Sequence, residues 1–368
     1  TFISILKSVF ENSRWRIQYG GPFFKNLIPR FIYGFQNFKI EKQILTNADR
    51  LVRRFVRRTL HLHASVENIL IHAPEKDGGL GIFSFTESIP RILMSRLNKM
   101  LAMPAFQYLL TSNILQNILA KISKLVIPPS STKNSTFGEG LHQCSEDSAS
   151  NAWIRHPPPF WTGYQYNAAH QLRTNSLPTR NQPGKPEHLR KCRAGCDKFE
   201  TVCHILQACP LTHFPRIRRH NHVMKLIQKI AIEQGFSTEM EPRIRDATKE
   251  LFIPDMIMKK GKTAIVVDAN VPWETEDLKL AAQNKKSKYG KPPLEAAIKS
   301  KYGVTEVLHM PVIVGARGIW SKRANKEIED TLHLTGQMKR KIITDVIQWG
   351  VSIYRQFGRV NWHTVQRP

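Results

Sequence analysis

The sequence is short of acid. Its 368 residues carry 29 Asp and Glu against 55 Lys and Arg, a formal net charge of +26 with a pI near 10.1. The excess is spread along the chain, which favours an extended polyanion as partner over a single acidic pocket ligand. Such binding weakens steeply with salt. Long apolar runs are also missing: none reaches the roughly 20 residues of a membrane span, and the first residues do not read as a secretory signal. No membrane partner is expected. Cysteine is scarce, and four of the five cysteines fall between Cys192 and Cys209. That clustering argues for a metal site in a reducing compartment and against a disulfide framework. The chain starts at Thr1 without a Met and reads as a piece of a larger protein.

What is present is most informative between Pro254 and Tyr289. Leu251-Phe252-Ile253 precedes Pro254, Lys259-Lys260-Gly261 signals a turn, and Lys262 to Val267 is a β-branched run, so two strands joined by a turn are predicted. Such a hairpin brings the carboxylates of Asp255 and Asp268 together. Two carboxylates and a phosphodiester suit Mg²⁺, which takes hard oxygen ligands and can activate water for in-line attack. A fixed cation near the attacking water or the equatorial oxygens would help, and Lys285 is placed to supply it. Glu276 to Tyr289 lacks Pro and Gly and is rich in helix formers, so Lys285 and Tyr289 share a helical face at i, i+4. The bland alternative makes Asp255 a turn residue and Asp268 a strand end.

The second signal is Cys192-x3-Cys196-x7-His204-x4-Cys209. Four borderline-soft ligands at this spacing suit a tetrahedral, structural Zn²⁺, which folds a segment too short to bury its own core. Cys203, beside His204, is an alternative ligand, and Gly195 lets the backbone turn under the metal. Phe214 to His222 follows, where Arg216, Arg218, Arg219, His220 and His222 interleaved with an aromatic suggest a nucleic-acid contact surface. Support for the metal segment or a backbone contact is the preferred role for His220 and His222.

Elsewhere, Leu51, Val52, Phe55, Val56 and Leu60 form an apolar helical face with Arg53, Arg54, Arg57 and Arg58 opposite, read as lying along phosphates. A Gly-rich turn, His72 to Ile82, separates this helix from a second one over Ile89 to Leu101. It is not a phosphate loop, because no Lys follows its final Gly. Residues 127 to 159, with Pro128-Pro129-Ser130-Ser131 and Pro157-Pro158-Pro159, have the composition of a flexible or surface connection. Lys286, Lys288 and Lys291 form a basic band beside the carboxylates and are expected to hold DNA backbone. Asp246 or Glu250 is a candidate third carboxylate.

Taken together, Pro254-Asp255, Asp268 and Lys285-x-x-x-Tyr289 resemble the restriction-like endonuclease of site-specific non-LTR retrotransposons, the type that inserts into ribosomal RNA genes. The wider nuclease superfamily places its lysine two residues after the second acid, where this chain has Asn270. In the retrotransposon branch the lysine has moved to the helix. The zinc-ligand spacing, the Arg-His-Asn-His run, Gly315 to Trp320 and the phrase His72-Ala73-Pro74-x-Lys76-Asp77-Gly78-Gly79-Leu80-Gly81-Ile82 are similar to the same family. The resemblance favours His204 over Cys203 as the zinc ligand. It implies a multidomain α + α/β chain: a helical thumb-like region at 1–126, a linker at 127–159, a CCHC zinc-knuckle and basic region at 160–222, and a restriction-endonuclease-like α/β domain with a mixed sheet at 223–368. By resemblance Asp255 and Asp268 hold Mg²⁺, Lys285 and Tyr289 assist catalysis, and Zn²⁺ is structural. The implied activity is nicking of double-stranded target DNA for target-primed reverse transcription. Implied partners are element RNA, an RNA–DNA duplex and the polymerase remainder of the same polyprotein, in the nucleus and its nucleolus. A polymerase centre is absent from these residues, since the chain has no Tyr-x-Asp-Asp and no adjacent Asp-Asp pair. The competing class is a non-catalytic DNA- or RNA-binding module with a structural zinc.

Overall fold

Helix α1 (Lys42–Thr59) buries Leu45, Ala48, Val52, Phe55 and Val56 on one stripe, the spacing that an amphipathic helix requires. Its buried Asp49 reaches across to the start of the helix Phe85–Leu101, accepting from the backbone N–H of Phe85 at 2.6 Å and of Thr86 at 3.0 Å, and from Ser84 Oγ at 2.9 Å. A carboxylate so placed satisfies donors that a helix N-terminus leaves open. This computed structural model describes residues 41–359 apart from 131, 133, 134, 136, 183 and 276. The aromatic and basic stretch before residue 41, including Trp15, Phe23, Phe24, Phe31, Tyr33 and Phe35, lies outside the described residues.

After α1 come the short helix α2 (Asn68–His72), then α3 (Phe85–Leu101) and α4 (Asn113–Ser123). Helices α5 (Ala149–Arg155), α6 (Gly163–Arg173), α7 (Glu187–Arg190) and α8 (Val202–Gln207) lead to the long α9 (His213–Glu233). The strands follow: β1 (Ser237–Met240), β2 (Ile244–Arg245), β3 (Leu251–Phe252), β4 (Met256–Lys260) and β5 (Thr263–Asn270). Helices α10 (Leu278–Tyr289) and α11 (Pro292–Tyr302) then cross to β6 (Glu306–Ile313), and α12 (Lys322–Leu332) and α13 (Gly336–Gly358) close the described chain. Among the described residues no helix is long and apolar enough to cross a membrane.

The main sheet has the order β1-β4-β5-β6, antiparallel except for the parallel β5–β6 pair. A parallel pair needs a crossover, and α10 with α11 provides it. The predicted hairpin is present but built one strand later. Met256-Ile257-Met258, a continuously buried run, pairs with β5, whereas Leu251–Phe252 pairs with Ile244–Arg245 in a separate two-stranded ribbon. The two faces of the sheet separate at period two. Met256, Met258, Ile265, Val267 and Ala269 join the main core, while Ile257, Ala264 and Val266 pack with Tyr289, Leu294 and Ile298.

The connection at 127–159 is not loose. Thr132, Ser135, Leu141, Gln143, Cys144 and Trp153 are buried, and the segment forms a strap across the C-terminal half. At Gly140 the strap passes so near the Glu274 carbonyl that an added Cβ would lie 1.5 Å from its oxygen. Arg317 donates to the carbonyls of Phe137 and Glu139, and Gln143 Nε2 donates to Glu274 O at 3.3 Å. Its polar composition is that of a flexible or surface connection, but it is held by partners distant in sequence, among them Glu87, Glu274 and Arg317. Helix α13 packs against α5, α6, α8 and α9, and one hydrophobic cluster runs from Leu45 to Phe357. The result is a helix-rich chain with a small mixed sheet, consistent with the α + α/β class.

Candidate active site and metal centre

Antiparallel pairing of Met256 with Val267 sets Asp255 across from Asp268, one step further along. Asp268 follows Ala264 and Val266 at period two, which directs it to the face covered by α10 and α11. There Lys285 Nζ of α10 donates to Asp268 Oδ1, with the Lys285 side chain 25% exposed and that of Asp268 5% exposed. The residue two after Asp268 is Asn270, so the cation beside the second acid comes from the helix. One turn on, Tyr289 is buried and its hydroxyl donates to Ile253 O at 3.2 Å. Burial and the neighbouring Asp268 and Asp255 carboxylates push its phenol far above the ordinary range, so it stays protonated.

Asp255 has a partner that sequence reasoning undervalued. His220 Nε2 of α9 lies 2.9 Å from Asp255 Oδ2, which also accepts from Ala269 N at 2.7 Å. The hydrogen bond to Asp255 raises the His220 pKa against the opposing effect of burial. Burial alone would raise the Asp255 carboxyl, but His220, the Ala269 amide and Lys285 outweigh it and bring it below its ordinary value. His220 stands 35 positions from Asp255, and only the fold reveals the contact.

Neither candidate for a third carboxylate joins this centre. Asp246 turns onto its own loop, accepting from Thr248 N at 2.9 Å, Thr248 Oγ1 at 2.6 Å and Glu250 N at 3.0 Å. Glu250 instead faces Lys291 at 3.4 Å.

Behind α10 stands a buried ion pair. Arg317, 1% exposed, donates from Nε to Glu274 Oε2 at 2.9 Å and from its backbone N–H to Oε1 at 2.7 Å, and its guanidinium lies over Trp273. The Leu278 N–H at the start of α10 donates to Gln143 Oε1 at 3.0 Å. The strap therefore holds the helix that carries Lys285.

At the cysteine-rich segment, one ligand atom from each of Cys192, Cys196, His204 and Cys209 lies within 4.8 Å of the others. Cys209 Sγ is 3.9 Å from Cys192 Sγ and 3.7 Å from Cys196 Sγ. A tetrahedral ion with bonds of about 2.3 Å to sulfur needs sulfurs about 3.8 Å apart, so the spacing fits. His204 Nε2 is buried with no hydrogen-bond partner among the described residues. Burial pushes the three thiols up, so a bound cation would be required to keep them as thiolates. Gly195 takes φ +82°, the left-handed turn expected of it. Cys203 falls outside the cluster and packs against the main core.

The basic residues divide by exposure. Arg54, Arg58 and Arg218 are exposed. Arg57 donates to Val66 O and Asn68 Oδ1 at 2.7 Å each, and Arg53 lies 3.4 Å from His72 Nε2. Arg216 donates to the carbonyls of Gln207 and Cys209. Arg219, expected on the contact surface, is instead buried and donates to Leu206 O at 3.3 Å. It braces the cysteine-rich segment from α9, because the helix extends back to His213 and turns this position inward. Lys286 pairs with Glu327 at 2.7 Å, Lys288 donates to Tyr289 OH at 2.8 Å, and Lys291 lies over Phe252 as well as near Glu250. His222 bonds Asp345 at 2.7 Å.

The chain is 36% identical over 362 residues to a Pol polyprotein of the type-1 retrotransposable element R2 from Popillia japonica, covering 92% of this chain and 73% of that one. It belongs to the R2 retrotransposon Pol polyproteins. A second Popillia japonica R2 protein is 36% identical over 355 residues, with 94% and 80% coverage. The Pol polyprotein of element R2DM from Drosophila melanogaster is 28% identical over 349 residues, and the match spans 33% of its length. No protein-family model matches the chain. The R2 assignment agrees with the non-LTR retrotransposon resemblance and places these residues within a polyprotein.

Proposed function

We propose that this R2 chain is a metal-dependent endonuclease that nicks double-stranded target DNA, so that the freed 3′-hydroxyl can prime reverse transcription by the remainder of the polyprotein. The observation that carries the reading is the meeting of Asp255, Asp268 and Lys285 from a loop, a strand and a helix. The sheet order with its single parallel pair supports a restriction-like core over 223–368. The proposed division into thumb-like, linker, knuckle and nuclease regions follows from the same reading, although the segments share one hydrophobic cluster.

Asp255 and Asp268 are hard oxygen donors, the type Mg²⁺ prefers, and would hold that ion. Once bound, Mg²⁺ supplies an acidified water and offsets charge at phosphorus. The chain's own groups supply the rest. Lys285 brings a cation to Asp268, where it can orient or deprotonate the water or steady the transition state. Tyr289, kept protonated, buttresses the face on which Lys285 stands. His220 holds Asp255 in one orientation. Zn²⁺ at Cys192, Cys196, His204 and Cys209 would be structural, since all four positions are filled by protein.

Exposed Arg54, Arg58 and Arg218, with Arg53, Arg57, Arg216, Lys286, Lys288, Lys291 and His222 nearby in paired states, would contact DNA, element RNA or an RNA–DNA duplex. A nuclear and nucleolar site of action follows from a ribosomal-gene target. The test is to separate cutting from binding. Asp255→Ala and Lys285→Ala are expected to bind a DNA duplex as the wild type does and to lose most nicking. Normal nicking by Lys285→Ala would remove the helix lysine from the account. One observation favours a second reading, a non-catalytic binding module: each acid already has a protein cation or donor beside it. Binding without cutting in every metal tried would establish that reading.

A further inference from the structure

The nuclease reading leaves one side of α9 unexplained. Two residues after His220, His222 points to the other side of the helix, where its ring sits 6.0 Å from the ring of Trp349 at an angle of 50°. These two aromatics line a cavity of about 380 Å³. Phe160, 58% exposed, forms its wall and also the wall of a second cavity of about 580 Å³ on the same face of α13. Both volumes fall in the ~300–1,000 Å³ range of small-ligand sites, and sharing Phe160 and Lys341 makes them one groove.

The charge of this groove is positive. Arg340 lines the larger cavity, and its guanidinium has no hydrogen-bond partner among the described residues. Asp345, the acid in the groove, is 5% exposed, hydrogen-bonded to His222 at 2.7 Å and paired with Lys341 at 2.6 Å and 2.7 Å. An exposed phenylalanine between two open cavities costs solubility with no packing return. With an unpaired guanidinium at its side it is what a stacked base and its phosphate require, since base–aromatic stacking and backbone charge together hold single strands.

We propose that this groove holds a short run of single-stranded DNA, one base on Phe160 and another on the His222–Trp349 pair, with phosphate against Arg340. DNA is the occupant because the groove and the candidate cut site share α9. His220 and His222 stand on opposite faces of α9, about 10–12 Å across with its side chains, so a strand freed at Asp255 and Asp268 reaches the groove by passing round this one helix. In this respect the proposal rests on the nuclease reading.

The probe is a fluorescent oligothymidylate compared with an abasic oligonucleotide of equal length, bound by the full chain under low salt. The wild type should prefer the oligothymidylate by about ten-fold or more, within what one stacked base contributes. Phe160→Ala should reduce that preference several-fold and Phe160→Ala with Trp349→Ala should erase it, Phe160→Tyr should retain it, and Arg340→Gln should weaken both oligonucleotides alike. Equal wild-type affinity for the two probes overturns the proposal, as does a preference that is undiminished in Phe160→Ala or that occurs with oligouridylate alone. Plasmid nicking is scored separately. A wild type that nicks but shows no base preference loses only the groove, and one that shows the preference without nicking loses only the nuclease.

Discussion

Removing Glu274 tests whether the fold around α10 depends on a buried charge pair. Glu274 is 0% exposed and Arg317 1%, and the pair is closed by Nε to Oε2 at 2.9 Å and by the Arg317 N–H to Oε1 at 2.7 Å. Glu274→Ala leaves the guanidinium buried without its counter-charge. Breaking such a pair costs about 3–5 kcal/mol. Glu327→Ala breaks the exposed pair with Lys286, whose side chains are 56% and 39% exposed, and should cost about 1 kcal/mol or less. Urea unfolding followed by tryptophan fluorescence is well placed to read this, because Trp273 lies under Arg317. The expected result is a large fall in the unfolding midpoint for Glu274→Ala and almost none for Glu327→Ala. Equal midpoints would refute the reasoning, showing that Arg317 finds adequate replacement in the carbonyls of Phe137 and Glu139.

Gln143→Ala removes the link between the strap and the start of α10; nicking should fall while DNA binding persists, and unchanged nicking would show that the strap does not set Lys285. Zinc should co-purify at one equivalent per chain, and Cys209→Ser should lose it and speed hydrogen exchange over residues 192–219; a full equivalent retained by Cys209→Ser would exclude the cluster as the site. Fully buried His170 has its pKa pulled from 6.5 down to about 3, first by burial and then by the Arg173 cation, and burial also lowers His72. For His170, between about 6.5 and about 3 the unfolded chain binds more protons, so its contribution to stability is full above about 6.5 and falls as pH drops, by about 1.4 kcal/mol per unit. Thermal melts between pH 7 and 5 should show a shallower decline for His170→Phe than for the wild type, and parallel curves would contradict this assignment.

The helices at α1, α3 and α10 are legible because each carries apolar residues at helical spacing or a continuous run of helix formers. So are the four metal-cluster ligands, which sit within eighteen residues and need only local folding to converge. The pairing of β4 was misjudged by one strand, since Pro254 reads equally well as closing one strand or opening the next. Long-range contacts left no trace in the sequence. His220 meets Asp255, Gln143 meets α10, and Arg317 meets the strap only because the hydrophobic cluster folds them together. The polar composition of the strap fits a flexible or surface connection for the same reason, and Arg219 reads as exposed because nothing in the basic run Phe214 to His222 marks it as part of a long helix.

The central claim is that the two acids cut DNA. Its most direct test is nicking of a supercoiled plasmid with Mg²⁺ by the wild type and by Asp268→Ala, prepared identically, with a gel shift run on the same samples. The account predicts nicking by the wild type, none by Asp268→Ala, and equal gel shifts for both. Equal nicking by the two proteins would contradict it, because the cutting would then belong to another group or to a contaminant.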